Sequence, residues 1–261
     1  MTKKIIKYLI ILLLFVNNFI FLYAFGSAGS TAKFENRKII DFPHCGMLPN
    51  KHLGLDFQFM KNGSFMVSGE YAFLDFINAG LSIGANNVIG NDEIIFQKYP
   101  GLNLKFRLLD ESLSFPAAAL GFSNQGYSGY ISNLERYEIL SPGIFLVFSK
   151  SFKWKLGYLA SHFGVNYSFE NNESERSPNM YLGIEQSINS NISLNLEYNF
   201  QFDESKNNLY DNKGLLNLAL RAAILNGMTI ELQLKDILLN KKNSTTFHRQ
   251  IVFEIIKLLN I

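Results

Sequence analysis

Between Ile192 and Phe202 the chain switches between apolar and polar side chains at every position. Ile192, Leu194, Leu196, Tyr198, Phe200 and Phe202 form one set, and Ser193, Asn195, Glu197, Asn199 and Gln201 form the other. A period of two belongs to a β-strand, whose successive side chains point to opposite faces. The same pattern returns in short segments parted by turn residues. Leu53, Leu55, Phe57 and Phe59 alternate with Gly54, Asp56 and Gln58, and the turn KNG (61–63) leads into Phe65, Val67 and Tyr71 with Ser68 and Glu70 between them. An Asn-Gly pair flanked by alternating apolar residues marks a hairpin. Leu81 and Ile83 follow, then Leu102 to Leu108, FPAAALGF, GIFLVFSKSF, a stretch over 154–169, NMYLGIEQS, LLNLALRAA, MTIELQLK and FHRQIVFEIIKLL. The count is about twelve strands, which leaves little room for a long helix or a second domain. Pro116 cannot donate to a ladder, so its strand is expected to start late or to carry a bulge.

The connections say which side of these strands meets what. DES (110–112), FK (152–153), NSN (189–191) and NG (226–227) are tight, whereas NVIGNDEIIFQKYP, SNQGYSGYISNLERYEILS, ENNESERSP and DESKNNLYDNKG are long and polar. Counted from Leu53, short turns follow the even strands and longer links mostly the odd ones, KNG being the exception. Membrane barrels show this asymmetry, with short periplasmic turns and longer outer loops. The fold expected is therefore all-β, an antiparallel transmembrane barrel of about twelve strands over 53–261. Leu194, Leu196 and Tyr198 would face lipid, and Asn195, Glu197 and Asn199 the lumen. Tyr71, Phe73 and Phe76, with Tyr127, Tyr130 and Tyr137, are expected near strand ends, as in the aromatic girdles of such barrels. The competing reading is a soluble periplasmic β-barrel that binds an apolar ligand.

The N-terminus fits export. Lys3, Lys4 and Lys7 precede an apolar stretch that ends on small residues, the layout of a signal peptide over 1–24, with cleavage after Ala24 or alternatively Ala28. Residues 25–52 are then expected as a periplasmic lead-in, and the cell outer membrane as the destination. Losing the three lysines takes the formal charge from +2 to −1, which argues against a nucleic-acid partner. The expected partners are outer-membrane lipid and, during biogenesis, the barrel-assembly machinery; an envelope polysaccharide or protein partner stays open. The single cysteine, Cys45, has no second cysteine to pair with, so stability must come from the core or from lipid.

The run IIDFPHCGMLPNKHLGLDFQF, then FPAAALGFSNQGYSGY and GIFLVFSKSF, resembles exported bacterial barrels of the YjbH-like group and related outer-membrane proteins. The resemblance rests on a proline-containing lead-in, a Pro-Ala-Ala strand ending in Gly-Phe, a glycine-rich loop and a Ser-Lys strand. It covers about the middle half of the chain, which is much shorter than full YjbH-type proteins. It implies a barrel and transfers no catalytic residues.

Ser161 and His162 are adjacent, so on a strand they point to opposite faces and cannot act together as nucleophile and base. His44, His52 and His248 are scattered without metal-ligand spacing, and GANNVIGND lacks the GK[ST] of a phosphate loop. No enzyme activity, cofactor or metal is expected. What remains is a set of charges that alternation points inward: Lys105, Arg107, Glu197, Arg221, Glu231, Lys235 and Glu254. In a barrel of this size they either pair and fill the lumen or line a polar conduit. Arg107 and Arg221 are the expected offsets for Glu197 and Glu231 across the lumen. The function classes left are envelope structure, surface contact and passive passage of a small solute.

Overall fold

The computed structural model describes residues 36–170, 177–204, 209–211, 213–242 and 244–259. The proposed signal peptide lies outside the described residues. The strands are β1 (His52–Phe59), β2 (Phe65–Leu74), β3 (Ile77–Asn86), β4 (Ile95–Phe96), β5 (Gly101–Leu109), β6 (Ala117–Ser123), β7 (Tyr127–Ile131) and β8 (Arg136–Ile139). They continue as β9 (Gly143–Trp154), β10 (Gly157–Tyr167), β11 (Asn179–Ser187), β12 (Ile192–Asn199), β13 (Leu215–Leu225), β14 (Met228–Lys235) and β15 (His248–Leu258).

Twelve of these strands form one closed antiparallel barrel. The order runs β1-β2-β3-β5-β6-β9-β10-β11-β12-β13-β14-β15 and returns to β1, where His52 to Phe59 pair with Leu258 to Ile251. Closure removes every long edge, so each ladder group has a partner within the wall. Two-residue β4 extends the sheet beside the end of β3, and β7 and β8 form a separate hairpin within the β6–β9 connection. β6 opens directly after Pro116, and its ladder with β5 slips by one residue at Arg107/Leu109.

The wall is apolar outside and polar inside. Leu81, Ile83, Leu102, Leu120, Ile144, Leu182, Ile184, Leu194, Leu196, Leu220 and Leu232 stand exposed on the exterior. Their strand neighbours Ser82, Asn195, Glu197, Glu185, Ala219, Glu231 and Gln233 are buried inside. In water each such exterior side chain would forgo roughly 1.5–3 kcal/mol of burial.

Several local expectations shift. The tight turn between β9 and β10 falls at Lys155-Leu156, because β9 continues through Phe152 and Lys153 to Trp154. The β5–β6 connection runs over 110–116, longer than DES alone. Tyr127 and Tyr137 do not join an interfacial girdle: they belong to the β7–β8 hairpin, which folds inward and buries both rings. Phe73 and Phe76 do stand exposed beside the short β2–β3 turn.

The largest departure concerns the segment before β1. Residues 36–48, expected in a lead-in outside the barrel, lie within the lumen. Ile39, Ile40, Phe42, Met47 and Leu48 are each 3% exposed or less. Two causes act together: these apolar side chains gain by leaving water, and the inward charges of the wall gain hydrogen-bond partners that the wall does not supply.

Candidate functional site

The segment 36–48 is a hairpin. Lys38 and Pro43 form an antiparallel bridge, the Ile39 amide donates to the Phe42 carbonyl at 2.8 Å, and the His44 amide donates to the Arg37 carbonyl at 3.3 Å. Residues 49–51 lead from it to β1 at the short-turn end, where the Lys51 amide donates to Ala72 of β2. Its tip, 39–42, reaches the middle of the lumen.

Glu197, inward on β12, receives the tip. One of its carboxylate oxygens accepts from the backbone amides of Ile40, Asp41 and Phe42 at 3.0, 2.9 and 2.9 Å, and the other accepts from Asn217 at 3.1 Å. Consecutive amides in a turn make a concave anion site, and here the anion is a side chain of the wall. Asp41 pairs with Lys235 of β14, both 2% exposed in their side chains. Phe42 stacks on Tyr181 with ring centroids 4.6 Å apart, and the Tyr181 hydroxyl donates to the Pro43 carbonyl at 2.9 Å. Gly183 on β11 makes this approach possible, since a Cβ there would stand 2.4 Å from Ile39.

The base of the hairpin is held by charge. The Arg37 guanidinium contacts Asp56 of β1, Glu70 of β2 at 3.0 Å and Glu254 of β15 at 2.7 Å. From β5 the Lys105 ammonium donates to the Arg37 carbonyl at 3.1 Å, and Arg107 donates to the Cys45 carbonyl at 2.7 Å. Arg221 bridges Glu231 of the adjacent strand and donates to the Lys38 and Ile39 carbonyls at 3.3 Å each.

The structure thus brings the seven inward candidates together around one object. Lys105, Arg107, Glu197, Arg221, Lys235 and Glu254 each touch the hairpin, and Glu231 meets it through Arg221. Of the two offsets expected across the lumen, Arg221 does pair with Glu231, but as a neighbour on the β13–β14 ladder and not across the barrel. Arg107 does not offset Glu197: it takes Cys45 and Asp110, while Glu197 takes backbone amides. The residues that sequence reasoning missed are those of the hairpin itself, with Arg37 foremost. An apolar run containing Ile39, Ile40, Phe42, Met47 and Leu48 was their one visible sign.

A second insert, the β7–β8 hairpin, packs against the first. Tyr127 and Ile139 of the β7–β8 hairpin join Ile39, Phe42 and Phe145 in one buried cluster, and the Lys38 ammonium lies over the Tyr127 ring at 5.2 Å. Arg136 pairs with Glu204, and Glu138 sits between Lys61 and Lys241. Burial pushes the Glu170 carboxyl, which accepts from the Tyr137 and Ser141 amides, up to about 7. Burial, reinforced by Glu204, pushes Asp203 up to about 7 as well. A polar cavity of about 40 Å³ survives beside Arg37, between Asp56, Thr229 and Glu254, with room for a few waters.

His162 lies on the inner face and meets Ser149 across the β9–β10 ladder, Nδ1 to Oγ 2.8 Å. The same hydroxyl accepts from the Cys45 amide at 3.1 Å, and the His44 ring packs on His162 at 4.6 Å. The pair is covered by the hairpin and serves to seat it.

No family model matches the chain, and no curated protein matches it. The YjbH-like resemblance therefore rests on its motifs alone. Among solved structures the chain is similar to a protein described as KdgM porin, with 9% identity, 78% of this chain and 98% of that one covered, and a TM-score of 0.49. NanC porin gives 7% identity, 79% and 99% coverage and a TM-score of 0.41. The outer membrane protein Omp33 of Acinetobacter baumannii gives 8% identity, 80% and 97% coverage and a TM-score of 0.44.

Proposed function

We propose that the protein is a non-enzymatic outer-membrane β-barrel for passive passage of a small solute, held shut by its own N-terminal hairpin. The observation that carries this reading is that the lumen is closed by a separate segment and not by the wall's own side chains. Most inward positions of the wall are small, polar or charged, with Met66, Phe145, Val147, Tyr181 and Leu215 as apolar exceptions, so withdrawal of residues 36–48 would expose a largely polar surface that water can solvate. The apolar exterior supports lipid as its surroundings. It speaks against the soluble alternative, as does an interior whose cavity beside the hairpin is polar and holds only a few waters.

A permanently filled structural barrel is the second reading. It is favoured by the apolar part of the hairpin's seat, where Ile39 and Phe42 pack with Phe145, Val147 and Tyr181. Planar-bilayer recording separates the two. The channel reading expects little conductance from the intact chain and a stable open level from a chain lacking residues 36–48. A deletion variant that folds, inserts and does not conduct supports the filled barrel instead.

A further inference from the structure

We propose that the carboxylate seat of Asp56, Glu70 and Glu254 is a recognition site for solutes that carry a guanidinium group, and that Arg37 occupies it in the closed barrel as a tethered stand-in. The solute's role in passage rests on the plugged-channel reading; its binding to the seat does not.

The three carboxylates come from adjacent strands. Asp56 lies directly opposite Glu254 on the β1–β15 ladder, and Glu70 is on β2. Like charges opposed on a ladder repel, and among the described residues the ion pairs of these three acids are all with the hairpin, Arg37 with each and Lys38 with Asp56 at 3.9 Å, while the wall's Lys105 acts on Glu70 without a direct ion pair. The wall's bases are engaged elsewhere: Arg221 with Glu231, Lys235 with Asp41, and Lys105 and Arg107 with hairpin carbonyls. A wall built only for rigidity would pair such acids within itself, because an uncompensated buried charge is costly. This cluster awaits a cation from outside the wall.

Its geometry specifies the kind of cation. Neighbouring groups fix the carboxylates: Ser68 donates to Asp56 at 3.0 Å, Asn78 and Asn103 donate to Glu70 at 2.8 and 2.9 Å, and Thr229 donates to Glu254 at 3.2 Å. The remaining acceptors serve a planar fork of N–H donors, the fit that guanidinium offers carboxylates. Gly54 forms the floor, since a Cβ there would stand 3.0 Å from the guanidinium carbon. The described acidic residues do not form a group that could hold a metal ion. Independently of Arg37, the wholly buried Asn78 keeps its side-chain oxygen without a hydrogen-bond partner while its nitrogen is on Glu70. That spare acceptor beside the seat suits a ligand with more N–H donors than Arg37 brings. Of the lumen-facing charged groups on the barrel strands, six are acids, Glu185, Glu197 and Glu231 besides the three of the seat. Four are bases, so the wall without its hairpin favours cations.

The test is Arg37→Gly in the full chain, titrated calorimetrically with guanidinium chloride at sub-denaturing concentration and with arginine methyl ester. Sodium and tetramethylammonium serve as controls of equal ionic strength. The expected result is saturable binding to Arg37→Gly, a raised melting temperature, no such binding to the native chain, and affinity weakened about tenfold or more by adding Glu70→Gln. Binding that is absent, that tetramethylammonium reproduces, or that Glu70→Gln leaves unchanged overturns the proposal. Should Arg37→Gly fail to form a barrel, the chain lacking residues 36–48 carries the same titration. Guanidinium-specific binding by a deletion variant that does not conduct supports the seat and overturns the channel. Conductance without that binding overturns the seat alone.

Discussion

Glu197 shows how much one inward carboxylate can do. It holds three consecutive amides of the hairpin tip and orients Asn217 in a site sealed from water. Removing the carboxylate orphans several buried donors at once, so Glu197→Ala should lower unfolding stability by on the order of 3 kcal/mol. Glu197→Gln, which keeps an acceptor oxygen, should lose less. Denaturant titration of the barrel in detergent or lipid checks both, and equal losses for the two variants would remove the amide nest as the cause. Arg221→Ala should cost roughly 3–5 kcal/mol, because it strands Glu231 and Glu185 as buried carboxylates. Alternation made the inward face of these residues legible in the sequence. It could not name their partners, because a period of two fixes a face and leaves distances open. Arg221 and Glu231 do meet, but along one ladder and not across the lumen as expected. The partners of Glu197 and Arg107 are backbone groups of a turn, which carry no side-chain signature.

At the scale of elements, the wall strands were legible because each has an exterior and a lumen-facing side, which gives clean alternation over 53–59, 102–108 and 192–202 and a looser one in FPAAALGF, GIFLVFSKSF and NMYLGIEQS. The two inserts were not. The 36–48 hairpin is surrounded on all sides by the wall, and an enclosed segment has no dry and wet face to produce a period. The β7–β8 hairpin lay inside a link that read as polar loop, and its tyrosines read as girdle residues. Its surroundings give a pH prediction. The Glu170 and Asp203 carboxyls, both raised to about 7 from ordinary values of 4.5 and 3.8, favour the packed loops when protonated. Their contribution is fully present below the unfolded values and is lost as pH rises through about 7. Amide-exchange protection near the Arg136–Glu204 pair, corrected for the intrinsic pH dependence of exchange, should therefore fall from about pH 4 to about pH 7 and then level off. Glu170→Gln with Asp203→Asn should flatten that profile; an unchanged slope in the double variant would place its cause elsewhere.

For the whole molecule, a closed barrel with an apolar exterior and an engaged interior should resist dissociation in cold detergent and shift its gel mobility only on heating. A chain that stays monomeric and soluble without detergent would contradict the membrane reading. The central claim is that the 36–48 hairpin is what closes the lumen, and Cys45 reports on it directly. The chain's only cysteine lies within the hairpin, 1% exposed, with its thiol directed at the Val147 carbonyl. A bulky, membrane-impermeant thiol reagent added during bilayer recording tests hairpin position and conduction in the same molecule. The account predicts that Cys45 reacts only while the channel conducts, at a rate proportional to the open fraction, and that modification locks the open level. Sustained conductance with Cys45 unreactive would show that solute passes while the hairpin stays seated.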